Sequence, residues 1–137
     1  MEVITPAERT LTEIDHARLM RLVRQTAGTP GAEAMQEMLE NSDLVTSPEV
    51  PANVVTMYSQ VLLQDALGGE PYKITLCYPD DAEPAAGFVS VLSPVGMALL
   101  GLRLGDLARW SAPDGHERTA RILEVLFQPE ATGDYQT

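Results

Sequence analysis

The strongest constraint on the fold comes from residues 93–106, which read Ser-Pro-Val-Gly-Met-Ala-Leu-Leu-Gly-Leu-Arg-Leu-Gly-Asp. A serine N-cap accepts a hydrogen bond from a free backbone N–H, and a following proline has no N–H to leave unsatisfied, so Ser93 and Pro94 predict a helix that begins at Pro94. Apolar residues then recur at the spacing that buries one helical face; they are Val95, Ala98, Leu99 and Leu102. Gly101 and Gly105 are typical of a helix end and a tight turn. We therefore expect a short helix that packs on a sheet, between two strands.

The length and composition fit one ordinary domain, or one small domain with a short appendage. The chain has 137 residues, of which 45% are hydrophobic and 21% charged, so it can bury a core. No apolar run approaches the ~20 residues that span a bilayer, and residues 1–10 lack the basic flank and apolar stretch of a signal peptide. We expect a cytoplasmic protein with no membrane partner.

The charge of the chain is strongly acidic. Nine Lys and Arg residues stand against twenty Asp and Glu, which gives a formal net charge of -11, and Lys73 is the only lysine. A nucleic-acid backbone rewards clustered cations, so direct sequence-specific binding of nucleic acid is not expected. A basic protein surface is the more natural partner, because long-range attraction would steer it toward this chain.

The first third of the chain predicts two short helices. Thr12 can cap the first, with Asp15 at the position that approximates a capping box, and this helix ends near Gly28. Thr29 begins the second, whose apolar stripe is flanked by Glu33, Glu37 and Glu40. Helices joined by so short a loop are expected to be antiparallel neighbours, each about 18 to 24 Å long. They form an abbreviated helical hairpin that needs the following domain for support.

Two prolines mark the boundary after the hairpin. Pro48 and Pro51 disfavour both a helix and a central strand, so residues 46–51 are predicted to be a hinge. The expected organisation is a loosely attached N-terminal arm and hairpin over residues 1–46, followed by a second domain over residues 47–137.

Period-two patterns and turn residues predict five strands in the second domain. They cover residues 54–63, 72–78, 87–92, 106–111 and 118–127, with turns at Gly68-Gly69 and at Pro113-Asp114-Gly115. One short helix against a mainly antiparallel five-stranded sheet is an α+β architecture.

The sequence contains no convincing catalytic or metal-binding constellation. Asp80, Asp81 and Glu83 are clustered in a loop, but neighbouring carboxylates before a proline are more often a solvated turn. His16 and His116 have no Cys or His at ligand spacing, and the single cysteine, Cys77, lies in an apolar run. No glycine-rich phosphate loop is present. We therefore expect no catalytic residues, no metal, no cofactor and no enzymatic activity.

The second domain resembles the Gre transcript-cleavage factor superfamily of bacteria. The resemblance rests on the helix of residues 93–101, on Gly105-Asp106 and on the Pro113-x-Gly115 turn. More narrowly, it is similar to the Rnk branch, named as regulators of nucleoside diphosphate kinase, in Pro51-x-x-Val54-Val55-Thr56-Met57-x-Ser59, Tyr78-Pro79, Trp110, Gln128-Pro129-Glu130 and Gly133-Asp134-Tyr135. The match covers residues 48–137; residues 11–45 match in architecture and length.

The resemblance implies a fold and a partner. The fold is an N-terminal antiparallel coiled coil joined to an FKBP-like domain. The partner is RNA polymerase, bound at the rim of its secondary channel, with the C-terminal domain on a coiled coil of the β′ subunit and the hairpin pointing inward. Leu92, Ser93 and Pro94 match the loop that touches the polymerase in this superfamily. A helix cap alone would also explain Ser93.

This sequence departs from the Gre factors at the hairpin tip. In those factors, a pair of acidic residues there coordinates the catalytic magnesium ion and supports RNA cleavage. Residues 25–32 contain no Asp or Glu, and the nearest acid is Glu33. The resemblance therefore implies a regulator that occupies the channel entrance and competes with Gre factors without cleavage. Two alternatives stay open: a Gre-like cleavage cofactor that uses Glu33 or another hairpin acid, and a direct regulatory partner of nucleoside diphosphate kinase.

Overall fold

The computed structural model describes residues 8–112 and 114–135. The helices are α1 (Glu13–Gln25), α2 (Pro30–Glu40) and α3 (Pro94–Leu99), and the strands are β1 (Thr10–Thr12), β2 (Asp43–Val45), β3 (Gln60–Asp65), β4 (Tyr72–Cys77), β5 (Phe88–Ser90), β6 (Leu107–Ser111) and β7 (Glu117–Phe127). Short 3₁₀ turns follow β2, β4 and β7. Of the predicted 113–115 turn, Pro113 lies outside the described residues, as do residues 1–7 of the predicted arm.

Five strands form one sheet in the order β5-β4-β3-β7-β6. All neighbouring pairs are antiparallel except β4 and β5, which run parallel. Two register shifts interrupt the pairing of β3 with the long strand β7, and such irregularities increase the twist and curl of a sheet. The mainly antiparallel five-stranded sheet and the short helix were both predicted correctly.

The predicted strand over residues 54–63 is wrong in its first half, because β3 begins only at Gln60. Residues 56–59 form a tight turn: the backbone N–H of Thr56 donates to the hydroxyl of Ser59 (2.9 Å), and Tyr58 has a φ of 64°. The backbone N–H of Tyr58 donates to Leu76 (2.6 Å), so the turn is tied to the sheet. The alternation of apolar residues had suggested an extended chain, but these residues are buried by tertiary contacts instead.

The end of the predicted arm is ordered. Residues 10–12 form β1, which pairs in parallel with β2 directly after the second helix. The backbone N–H of Thr10 also donates to the carbonyl of Gly101 at 3.0 Å. Since β1 and β2 flank α1 and α2, this two-stranded sheet closes the base of the helical pair.

One hydrophobic cluster joins the helical pair to the five-stranded sheet. Leu19, Val23, Met35 and Leu39 from the helices are buried in the same cluster as Leu76 and Ile122 from the sheet, Leu99 from α3, and Val91 directly after β5. Near the other end of the pair, a Cβ placed on Gly31 would lie 3.7 Å from the carbonyl oxygen of Leu92. The helical pair therefore lies along the sheet domain rather than projecting from it. In the described part of the chain, no helix is both long and apolar enough to span a membrane.

Candidate partner-binding site

The N-terminal end of α3 is organised by local hydrogen bonds. Ser93 is the N-cap, and its Oγ accepts a hydrogen bond from the backbone N–H of Gly96 (3.2 Å) and donates one to the carbonyl of Ser90 (2.6 Å). Pro94 is exposed at the first helical position, while Leu92 and Ser93 are half-buried. The predicted cap is confirmed. Of the three predicted contact residues, Pro94 is thus the most accessible.

Gly96 lets α3 approach the end of β5 closely. A Cβ at this position would lie 2.1 Å from the carbonyl oxygen of Ser90, a distance that no real contact reaches. The same carbonyl accepts hydrogen bonds from the backbone N–H and the side chain of Ser93. The absence of a side chain at Gly96 therefore sets the position of residues 92–94, of which Pro94 is exposed, relative to the sheet.

The C-terminal end of α3 is capped by an arginine from the N-terminal segment. One guanidinium nitrogen of Arg9 donates to the carbonyls of Met97 (2.9 Å), Ala98 (3.4 Å) and Leu100 (2.7 Å). A cation is favourable there because the last carbonyls of a helix carry partial negative charge. Burial lowers the pKa of the Arg9 guanidinium from its ordinary value, but an arginine stays charged. Arg9 was not anticipated from the sequence, since nothing local identifies its partners.

A buried carboxyl joins α1 to the turn of residues 56–59. Thr12 caps α1 as predicted, with its side chain accepting from the N–H of Asp15 (3.0 Å). Oδ2 of Asp15 accepts from the backbone N–H of Met57 (3.2 Å), and Asp15 is only 2% exposed. Burial, assisted by the charge of Glu130, raises the pKa of Asp15 to about 7, while the Met57 bond and Arg18 oppose the shift. The buried stripe Asp15, Leu19 and Val23, spaced four residues apart, is the signal that could have revealed this contact.

The turn that joins α1 to α2 carries no acid. Residues 26–29 read Thr-Ala-Gly-Thr, and Thr29 caps α2 through the N–H of Ala32 (3.2 Å). Glu33 is exposed in the first turn of α2. The predicted tip residue and the predicted loop residues 92–94 therefore flank the same end of the helical pair, but Glu33 has no second acid beside it within residues 25–32.

Three other residues that the sequence singled out, Asp81, Asp106 and Cys77, have structural roles. Asp81 accepts a hydrogen bond from the hydroxyl of Tyr58 (2.5 Å), and the carboxylate of Asp106 accepts from the N–H of Arg103 (2.8 Å), as expected for a turn. Cys77 is buried, as predicted. Among residues 8–112 and 114–135, no three His, Cys, Asp or Glu side chains lie close enough together to hold a metal ion.

The chain is similar to known proteins over most of its length. The family profile described as "Transcription elongation factor, GreA/GreB, C-term" matches residues 50–127. A "Regulator of nucleoside diphosphate kinase" from Escherichia coli strain K12 is 39% identical over 127 residues, which cover 91% of this chain and 93% of that protein. A "Transcription elongation factor GreA" from Solidesulfovibrio magneticus is 37% identical over 133 residues, covering 88% of this chain and 80% of that protein.

A solved structure shares the fold. It is described as a "Prokaryotic transcription elongation factor GreA/GreB from Nitrosomonas europaea", is 35% identical, and superposes with a TM-score of 0.74 over 88% of this chain and 99% of that one. The matched profile begins just before Val54 and ends with β7, so it includes the whole five-stranded sheet and α3.

Proposed function

This chain belongs to the GreA/GreB family of transcription elongation factors, and from that premise we propose that it is a non-enzymatic regulator of transcription that binds RNA polymerase. Binding takes place at the rim of the secondary channel, where the protein competes with Gre factors without stimulating RNA cleavage. It acts in the cytoplasm and needs no cofactor of its own. Within the proposed division at residues 46–47, the first part is a short coiled-coil hairpin and the second an FKBP-like domain.

The single observation that carries this proposal is the tip of the helical pair. A cleavage cofactor of this family needs paired acids at the tip, whereas residues 25–32 contain none. The tip also packs beside Leu92 instead of extending away from the sheet. A short, acid-free tip supports a protein that occupies an entrance rather than one that reaches an active site.

The proposed contact with the β′ coiled coil is made by Leu92, Ser93 and Pro94. These residues form the loop whose position is set by Gly96, and Pro94 is exposed there. The hydroxyl of Ser93 is engaged within its own loop, so Ser93 contributes to the proposed contact through the shape of the loop and not through a hydrogen bond from its hydroxyl.

Purified protein and core RNA polymerase provide the binding test. Pro94→Glu should weaken binding by about tenfold or more, because the added charge lies in the contact, while Glu is well tolerated in the first turn of a helix. Pro48→Glu is the matched control, since Pro48 is also exposed at the start of a short helix. Equal affinities of both variants and the parent protein would contradict the assigned contact.

Two observations favour specific alternatives. Glu33 is exposed near the tip, so a cleavage cofactor that uses it would lose activity on Glu33→Gln, whereas the proposed regulator has no cleavage activity to lose. The similarity to a protein named for nucleoside diphosphate kinase favours a direct kinase partner. Quantitative mass spectrometry of proteins that co-purify from the native extract separates the two partners: enrichment of polymerase subunits supports our proposal, and enrichment of the kinase alone contradicts it.

A further inference from the structure

A groove separates α1 from the loop that follows β4. Its volume is about 410 Å³, and its walls include Arg18, Arg21 and Leu22 from α1 and Pro79, Asp80 and Leu92 from the facing loops. The residues on α1 lie at intervals of three and four along one helical face, next to the face that packs on the sheet. The groove therefore exists only because the helical pair lies along the sheet domain.

The walls of the groove combine positive charge with apolar surface. Arg18 and Arg21 are two of only nine cationic side chains in a chain whose net charge is -11. Arg18 is half-buried. Burial raises the pKa of both Asp15 and Tyr78, and the charge of Arg18 opposes both rises, so its guanidinium lies close to both side chains. Arg21 is exposed one turn further on. Only Asp80 places a carboxylate in the lining.

We propose that this groove binds an acidic segment of the protein partner, with apolar side chains seated between Leu22, Pro79 and Leu92. This inference rests on the proposed function, because Leu92 belongs both to the groove and to the proposed polymerase contact. Charge complementarity selects the partner: two arginines face one carboxylate inside the groove, while the rest of the surface repels acidic molecules. The groove thus fixes the register of a partner whose other contacts are basic.

A single-stranded RNA fits this groove less well. The lining contains only two arginines, Arg18 is already engaged with Tyr78, and the acidic chain around them opposes a polyanion. Tyr78 is the one aromatic side chain in the lining, and its ring packs against Tyr58 with centroids 5.7 Å apart. Apolar side chains from a protein would instead find complementary surface.

Two substitutions that should change the affinity for core RNA polymerase in opposite directions test the groove. Arg21→Glu should weaken binding by about tenfold, and Asp80→Asn should strengthen it by about threefold, because the second change removes a repelling charge. The matched controls are Arg24→Glu, which makes the same charge change on the exposed side of α1 outside the lining, and Glu83→Gln on the exposed loop beyond Asp80. Both controls should stay within about twofold of the parent protein. Equal effects of Arg21→Glu and Arg24→Glu would overturn the assignment.

A second measurement is independent of the polymerase. A short synthetic peptide of alternating Glu and Leu should shift the amide NMR signals of Arg21, Gln25 and Leu92, and Arg21→Glu should abolish these shifts while Arg24→Glu preserves them. If the peptide binds in this way but the polymerase does not bind at all, the groove is supported and the proposed function fails. If the polymerase binds but the peptide shifts none of these signals, the groove assignment fails alone. Tighter binding of a single-stranded RNA oligonucleotide than of the peptide at these residues also overturns it.

Discussion

The two ends of α3 are stabilised in different ways. At the N-terminal end, the hydrogen bonds of Ser93 connect residues that are three positions apart. At the C-terminal end, Arg9 donates to carbonyls 88 to 91 positions away. The first end can form whenever the sheet domain is folded. The second end forms fully only when the N-terminal segment that carries Arg9 is in place, so we expect the two ends of α3 to respond differently when Arg9 is changed.

The largest expected loss of stability comes from Gly96→Ala, which tests whether close packing against β5 determines the N-terminal end of α3. The new methyl group would meet the backbone carbonyl of Ser90 at 2.1 Å, so the free energy of unfolding should fall by more than about 4 kcal/mol. Urea unfolding measures it. Gly31→Ala is the control, because its Cβ has ordinary contact distance and alanine favours a helix. A loss below about 1 kcal/mol for Gly96→Ala would contradict the close approach.

A rise in pH is expected to destabilise the protein through Asp15 and to loosen the C-terminal end of α3, which Arg9 caps. The pKa of Asp15 is raised to about 7 in the folded protein, above its ordinary value of 3.8. The stabilisation from the retained proton is therefore complete below about pH 4 and is lost as the pH rises through 7. Relative to Asp15→Asn, whose amide oxygen can still accept from Met57, the protein should lose on the order of 3 kcal/mol of unfolding free energy between pH 4 and 8.

Urea unfolding of both proteins across this pH range is the measurement, with Glu33→Gln as a control for an exposed acid. Because Asp15 lies on the segment that follows Arg9, hydrogen exchange should also accelerate at Leu100 and Gly101 before it does at Gly96. Parallel pH profiles for the parent and Asp15→Asn would show that Asp15 keeps an ordinary pKa.

Arg9→Met should destabilise the protein by about 2 kcal/mol, because it leaves the carbonyls at the end of α3 without their charged donor. Because Arg9 caps only one end of α3, amide hydrogen exchange should increase at the C-terminal end of α3 and remain unchanged at Gly96. Arg109→Met, on an exposed position of β6, is the control. Uniform acceleration along all of α3 would contradict the independence of its two ends.

The smallest effect is expected for Ser93→Ala, at about 1 kcal/mol, the typical value of an N-cap. Ser93→Thr keeps a hydroxyl that can accept from Gly96 and donate to Ser90, and should retain most of the stability. Thermal unfolding distinguishes the two variants. If Ser93→Thr is as destabilising as Ser93→Ala, the hydrogen bonds of the Ser93 hydroxyl do not account for the stability that this residue contributes.

Local contacts could be predicted from the sequence, whereas contacts between distant parts of the chain could not. Caps at Thr12 and Ser93 follow from rules that involve neighbouring residues, and both were predicted correctly. The contacts of Arg9 and Asp15 join residues far apart in the chain. The four-residue spacing of Asp15, Leu19 and Val23 indicates that Asp15 is buried, but it does not identify Met57 as the partner, and no pattern marks Arg9.

The extended chain predicted for residues 54–59 fails for the same reason. Its alternation of apolar residues is real, but the N–H of Met57 bonds to Asp15 and the N–H of Tyr58 to Leu76, outside any β3 ladder. The groove was likewise beyond prediction, since it requires the packing of α1 beside residues 78–80. The absence of acids at the tip, by contrast, is a property of composition and was available from the sequence.

The most direct test of the central claim is an RNA cleavage assay on purified, backtracked transcription complexes. The protein alone should release no cleaved RNA above the intrinsic rate of the polymerase. Added in excess to a GreA-stimulated reaction, it should reduce cleavage toward that intrinsic rate, and Pro94→Glu should abolish this reduction while Pro48→Glu should not. Stimulation of cleavage by the protein alone, lost on Glu33→Gln, would contradict the claim and support a cleavage cofactor.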